Sequence, residues 1–261
     1  MPEVLEVELY RRLAETTVGR RVTGVVDTDP IVMSTAGGFQ SMIGCTIDGV
    51  HRHGKVLSLV ISQHSHVVNL HFGMTGRLIV DGRAALESLV YGASDNDRWI
   101  RFGLRFDGGH LMMSDPRRFS RVRWGNIDAP TELGPDVFAV AVDDFVARLE
   151  LRPRSSLKAV LLDQRVVAGL GNMLVDEILL RAGLDPRCRV ESLDRSGLVT
   201  IHEVMVEVLP ELLARGGSHA GHLASSLRRP GAPCPLDGAP LVKMTVGGRT
   251  TFACLEHQHL K

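Results

Sequence analysis

No run of apolar residues in this chain is long enough to cross a bilayer. Its first residues carry neither the basic cluster nor the apolar segment of a secretion signal. No membrane-spanning helix is therefore expected, and a cytoplasmic location is expected. Cysteine is also scarce: four in 261 residues, too few for a disulfide scaffold and consistent with a reducing compartment. Net charge is missing as well, with 30 Lys and Arg against 30 Asp and Glu, so no global signature of a polyanion binder exists. No internal repeat is visible.

What the chain does have is local asymmetry. Residues 101–125 hold six arginines against two aspartates, and 215–249 hold Arg215, Arg228, Arg229, Lys243 and Arg249 against Asp237 alone. Basic residues gathered in this way on a neutral chain point to a polyanionic partner. The length favours two domains.

The texture of the chain divides accordingly. A helix is expected from Glu3, with Leu5, Leu9 and Leu13 on its anchoring face. From about 20 to 125, short alternating or β-branched runs predict strands: RVTGVVDTD, KVLSLVIS, HVVNLHF, RLIVDG, RWIRFGLRF and HLMMSD, with DGG at 107–109 as a hairpin signal. This is the pattern of a β-sandwich with a leading helix. Turn-rich sequence around 126–140 marks a junction, and helical periodicity runs from about 141 to 216. The Gly/Pro-rich tail from 217 has two strand candidates and too little core of its own, so a metal staple is expected there. The expected class is α+β, with domains at 1–128, 129–216 and 217–261.

Five places carry potential chemistry. In the tail, Cys234 and Asp237 are separated by two residues, as are Cys254 and His257, with sixteen residues between the pairs. That is the spacing of a zinc ribbon with Asp and His in place of two cysteines; the alternative is a metal-free hairpin. GLGN ends a Gly-rich turn where a helix starts near Asn172, a phosphate-binding arrangement in one reading and an ordinary turn in the other. SDPRRFSR puts Arg117, Arg118 and Phe119 after a strand, suited to base contacts and wedging, or else merely solvated. Lys55 heads a predicted strand, and His71 and Met74 sit in or beside a Gly-flanked loop. Pro2 after removal of Met1 would expose a secondary amine with pKa of about 7.7–8.0, nucleophilic at neutral pH, next to the carboxylate of Glu3. Its ordinary reading is a helix N1 proline.

Taken in order, MPEVLEVE, HRHGKVL, HFGMTGRL, DPRRFSRV, LGPD, LKAVLLDQRVVAGLGNMLVDEILLRAGLDPR and the GAPC…GGRTTFAC…H tail resemble the formamidopyrimidine-DNA glycosylase / endonuclease VIII family along the full chain. The resemblance implies a bifunctional glycosylase and abasic-site lyase acting on oxidised bases in damaged double-stranded DNA. The protein would be a monomer with no membrane partner, working at the nucleoid. It implies that Pro2 attacks C1′ to form a Schiff base, that Glu3 is the acid/base, that Glu6 orients the site and that Lys55 assists β-elimination. Met74, Arg117 and Phe119 would fill the gap left by the flipped nucleotide. Lys158, Asn172 and Arg249 would hold flanking phosphates, Asn172 from a helix–two-turn–helix motif and Arg249 from a zinc-ribbon-like hairpin. One structural Zn2+ would bind Cys234, Asp237, Cys254 and His257.

This chain departs from the family pattern at Leu5, where proline is usual, at Asp237 and His257, where cysteines are usual, and in a short 217–233 segment. Substrate preference among oxidised bases does not follow from the resemblance. Two other readings are a non-enzymatic lesion-sensing relative and a nucleic-acid binder of another kind. Retention of Pro2 and Glu3 argues against both.

Overall fold

The computed structural model describes residues 2–26, 29–34, 38–86, 97–126 and 133–260. The chain divides into two compact units, Met1–Thr131 and Glu132–Lys261. The expected junction at 128/129 falls outside the described residues. No described helix is long and apolar enough to cross a membrane.

Among the described residues the first unit opens with α1 (Val4–Glu15) and continues through nine strands: β1 (Val22–Val26), β2 (Ile47–His53), β3 (Val56–Ile61), β4 (His66–His71), β5 (Arg77–Val80), β6 (Arg83–Ala84), β7 (Ile100–Phe106), β8 (Gly109–Ser114) and β9 (Arg121–Asn126). They form two antiparallel sheets in the orders β1-β7-β8-β5-β6 and β2-β3-β4-β9. One core joins them: Phe102, Leu104, Leu111 and Met113 from one sheet meet Leu57, Leu59, Val68 and Leu70 from the other. The alternation along β3, where Leu57, Leu59 and Ile61 are buried and Val56, Ser58 and Val60 half-buried, reflects the two-residue period of a pleated strand. The expected hairpin forms on Asp107 and Gly108, with Gly108 at φ 88°, a conformation suited to glycine.

Three strands escape the sequence reading, the two-residue β6 among them. In β2, Asp48, His51, Arg52 and His53 break up the apolar alternation. In β9 the arginines mask Val122, which is fully buried. The face of α1 also differs from expectation. Of the expected anchors Leu5 is fully buried, whereas Leu9 and Leu13 pack only at the edge of the core that Val7, Tyr10 and Ala14 enter. The reason is Tyr10, which stacks on Phe72 with ring centroids 4.6 Å apart and donates its hydroxyl to the Gly76 carbonyl at 3.3 Å. An aromatic pair of this kind adds about 0.5–1.5 kcal/mol beyond its buried area, enough to set the helix's rotation.

The second unit holds α2 (Val142–Glu150), α3 (Leu157–Leu162), α4 (Asn172–Arg181), α5 (Arg195–Ala214) and the hairpin β10 (Val242–Val246) and β11 (Arg249–Ala253). Standard caps open two of these helices: the Ser156 hydroxyl accepts from Ala159 N, and the Asp194 carboxylate accepts from Gly197 N. The tail is not a separate body. Leu180 of α4 shares a small core with Leu223, Ala232, Cys234, Leu241 and Cys254.

Candidate functional site

In the first unit the potential chemistry gathers around the head of α1. Pro2 and Glu3 are buried, with Glu3 at the N-cap in extended conformation. Glutamate is not a preferred N-cap, yet a carboxylate at a helix N-terminus is favoured by the helix dipole. Glu6, also buried, accepts the Glu3 backbone N–H at 2.7 Å. This completes a capping box and fixes the direction in which the chain enters the helix. Burial first, then the charge of Glu6, push the Tyr10 hydroxyl far above its ordinary range, while Arg77 opposes the shift. Arg77 is thus a buried cation within electrostatic reach of the helix, and the sequence reading did not single it out.

Lys55 does not begin a strand. It sits with Gly54 in the two-residue turn between β2 and β3, half-buried. That turn is tied to α1: Arg52 donates to Glu8 at 3.2 Å and to the Gly54 carbonyl at 3.1 Å. The ends of β3, β4 and β9 meet here, since Val56 pairs with His71 and His71 with Arg121. Burial first, then the charges of Lys55 and Arg121, hold His71 below its ordinary pKa. The neutral ring accepts the Gly73 N–H on Nδ1 at 3.3 Å, which leaves the proton on Nε2.

Beyond His71 lie two turns. Met74 projects from the first at 40% exposure. Arg117 and Phe119 project from the second, with Phe119 at 46%. The Arg117 guanidinium lies 4.7 Å from the centre of the Phe119 ring. An apolar side chain left in water beside a stacked Arg–Phe pair is a surface that gains by inserting between flat rings.

The second unit brings together Lys158, Asn172 and the Arg249 end of β11. Gln164 shapes the turn before α4. Its amide donates to the Leu162 and Leu170 carbonyls at 3.0 and 2.9 Å and accepts Gly169 N–H at 3.0 Å. This is the physical content of the DQRVVAGLGN stretch. Asn172 Nδ2 then donates to the Thr250 carbonyl at 3.0 Å, next in sequence to exposed Arg249, while its Oδ1 is buried without a hydrogen-bond partner. The Gly247–Gly248 turn presses on α3 so closely that a Cβ at Gly247 would lie 3.0 Å from that of Ala159.

Lys158 requires a correction. Instead of presenting its ammonium to a phosphate, it is wholly buried, bonding Asp176 at 2.6 Å and the Thr250 carbonyl at 3.2 Å. Asp176 also accepts from Arg228 at 2.6 Å and from Phe252 N at 3.4 Å. An ammonium that far inside is held by its partners, so Lys158 supports the surface that carries Asn172 and Arg249 rather than forming it. Asp176 was not singled out in the sequence, and Arg228, counted there among the clustered basic residues, is engaged in this internal pair. The one available signal was an acidic pair, Asp176–Glu177, embedded in an otherwise apolar helix.

In the tail, Cys234, Asp237 and Cys254 bring their donor atoms within 4.8 Å of one another. His257 stands outside that group, its Nε2 bonded to the Leu180 carbonyl at 2.9 Å. Burial raises the Cys254 thiol to about 11, and its Sγ lies 3.4 Å from both Asp237 oxygens.

Residues 1–122 match the family model of the formamidopyrimidine-DNA glycosylase N-terminal domain, and 133–223 that of the formamidopyrimidine-DNA glycosylase H2TH domain. The formamidopyrimidine-DNA glycosylase of Geotalea uraniireducens is 31% identical over 99% of this chain and 100% of its own length. That of Geobacillus kaustophilus is 33% identical over 97% and 98%. Among solved structures, the MutM (Fpg) protein of Thermus thermophilus superposes with a TM-score of 0.81 at 29% identity, covering 100% of both chains. Lactococcus lactis Fpg, solved in complex with DNA containing N7-benzyl-Fapy-dG, gives 0.82 at 26%, covering 99% of this chain and 100% of that one.

Proposed function

The chain belongs to the formamidopyrimidine-DNA glycosylase family, and from that premise we propose which of its residues carry the family's reaction. It is a base-excision repair DNA glycosylase with abasic-site lyase activity. The substrate is damaged double-stranded DNA, met as a monomer at the nucleoid.

The observation that carries the assignment is the head of α1, where Pro2 and Glu3 are buried together and Glu6 fixes the Glu3 backbone. Once Met1 is removed, the Pro2 amine attacks C1′ as the glycosidic C–N bond breaks and the base leaves with the bonding pair. Glu3 supplies and removes protons at the deoxyribose. A proton delivered to O4′ then lets the C1′–O4′ bond break and the sugar ring open, and the resulting Pro2 iminium acidifies the C2′ proton. Its loss expels the 3′ phosphate, and a second elimination expels the 5′ phosphate. Lys55, on a turn bonded through Arg52 to α1, contacts phosphate and assists the first elimination.

None of this can occur while the base is stacked, because flipping it costs a few kcal/mol. Met74, Arg117 and Phe119 offset that cost by occupying the vacated space, with Arg117 facing the orphaned base. Asn172 and Arg249 hold phosphates beside the lesion. The N–H groups of the first turn of α4 point the same way by the geometry of helix starts.

The family is compatible with one structural zinc, and the donor set here fits it. Cys234, Asp237 and Cys254 would supply two thiolates and a carboxylate, and His257, which lies outside that cluster, would complete the set with a ring nitrogen. A carbonyl can only accept, so the bond to Leu180 requires the proton on Nε2 and leaves Nδ1 as the lone-pair donor. That pattern, one ring nitrogen tethered to a backbone carbonyl, is usual for metal-binding histidines. Zinc here would stabilise the hairpin that carries Arg249. We expect about one zinc per chain by elemental analysis, and Cys234 and Cys254 that resist a thiol reagent until a chelator is added. Less than about a tenth of an equivalent, with both thiols reactive from the start, would reject the site.

The functional reading is tested by incubating the protein with duplexes carrying 8-oxoguanine, formamidopyrimidine, thymine glycol, dihydrouracil, a hydantoin or an abasic site, in the presence of borohydride. Borohydride reduces a Schiff base to a stable amine, so the expected result is a covalent protein–DNA adduct on the abasic duplex and on at least one lesion. No adduct on any of the six would sink the enzyme reading.

A further inference from the structure

The two turns that bear Met74, Arg117 and Phe119 are bonded to one another through a carboxylate that the reaction does not use. Asp115 is completely buried. Its Oδ1 accepts the Thr75 hydroxyl at 2.5 Å and Arg117 N–H at 3.1 Å, and its Oδ2 accepts Ser120 N–H at 2.8 Å. Its backbone carbonyl accepts Arg101 Nε at 2.7 Å. One side chain therefore spans both ends of the second turn and reaches across to the first.

The backbones interlock as well. Gly73 has φ 57°, and a Cβ there would lie 2.4 Å from the carbonyl carbon and oxygen of Phe119. Only glycine admits that approach. Arg118, between the two wedge residues, adopts φ 58°, a left-handed conformation that an arginine takes only under constraint. Its guanidinium is drawn 2.8 Å from the buried carboxylate of Asp29. That turn of the backbone leaves Arg117 and Phe119 stacked on the exposed side. On the other flank, Tyr10 of α1 bonds the Gly76 carbonyl, so the Met74 turn is tied to the helix headed by Pro2 and Glu3.

We propose that Thr75 and Asp115 are positioning residues for base extrusion: their hydrogen bond locks the Met74 turn to the Arg117–Phe119 turn, so that the three side chains enter the duplex as one preorganised wedge. This rests on the wedge assignment made above. The physical ground is that a wedge offsets unstacking only if its parts arrive together. Ordering two independent turns at the moment of insertion would add their conformational entropy to the barrier. Asp115 and Thr75 are both buried, so their effect falls on extrusion and not on the chemistry at C1′.

The experiment compares Thr75→Val, which keeps the shape and removes the hydroxyl, with Thr75→Ser, which keeps the hydroxyl, and with Met74→Ala as a control on the wedge itself. Each is assayed for single-turnover excision of a lesion base, for borohydride trapping on a duplex with a preformed abasic site, and for fluorescence of 2-aminopurine placed opposite the lesion. Thr75→Val is expected to slow lesion excision about tenfold and to blunt the 2-aminopurine change. Trapping on the abasic duplex should stay within about twofold, since an abasic nucleotide has no base to unstack. Thr75→Ser should restore both lesion readouts. If Met74→Ala changes nothing, the wedge assignment fails. If Met74→Ala blunts the signal while Thr75→Val leaves it intact, the lock fails and the wedge stands. Equal losses by Thr75→Val on lesion and abasic duplexes would reduce the Thr75–Asp115 bond to general stability and overturn the proposal. Thr75→Ala makes the same comparison should valine compromise folding.

Discussion

Protein that retains Met1, or carries one added residue before Pro2, is expected to form no borohydride adduct with abasic DNA while still binding the duplex within about threefold of the processed form. The reason is elementary. In the extended form the Pro2 nitrogen is an amide, its lone pair delocalised into the carbonyl, and it cannot add to C1′. The processed amine, with a pKa of about 7.7–8.0, is neutral in roughly a tenth of the molecules at pH 7, a far larger share than for a lysine at about 10.4, and that share is free to react. Pro2→Gly is the graded version. A primary amine still condenses, but its imine must be protonated to become an electron sink, whereas the iminium of a secondary amine is charged from the start. A loss of about a hundredfold or more in single-turnover incision is expected, within the range that nucleophilic and acid–base groups supply. Mass spectrometry of the protein before assay separates processed from unprocessed chains. Full activity in an unprocessed sample would show that another nucleophile is at work.

Asp176→Asn should be the most damaging single change for stability in the second unit. The carboxylate is buried between Lys158 and Arg228, with Lys158 itself fully enclosed. Breaking a buried ion pair by neutralising one partner costs about 3–5 kcal/mol, because the remaining charge is left without compensation. At roughly 2–4 °C per kcal/mol, the melting transition should fall by about 10 °C or more. Replacing both partners, as Asp176→Leu with Lys158→Met, should recover much of that loss, since an apolar pair of similar volume has no charge to leave stranded. Function should not recover in parallel. Lys158 and Asn172 both bond the Thr250 carbonyl beside Arg249, so the double variant is expected to fold and yet bind DNA more weakly. A shift below about 3 °C for Asp176→Asn would mean the network contributes little.

The proposed site residues stood out through the family resemblance more than through spacing. Pro2–Glu3, the GLGN turn and the Cys/Asp and Cys/His pairs each had an ordinary reading when taken alone, and it was their shared order along the chain that joined them. Periodicity marked α1, most of the strands and the helices of the second unit. It failed in β2 and β9, where charged and polar residues interrupt the apolar alternation.

By itself, then, the sequence determined the α+β class, the leading helix, most of the strands and the residue types offered for the proposed attack, proton transfer and wedging. Only the tertiary structure decided which of those groups face outward and what holds them. It turned α1 onto Val7, Tyr10 and Ala14, buried Lys158 against Asp176, tethered His257 to Leu180, and joined Thr75 to Asp115 across forty residues of chain. The reason is that local propensity and periodicity act over a few residues. A hydrogen bond between buried groups depends on positions that the whole packed unit sets, and leaves no regular trace along the chain.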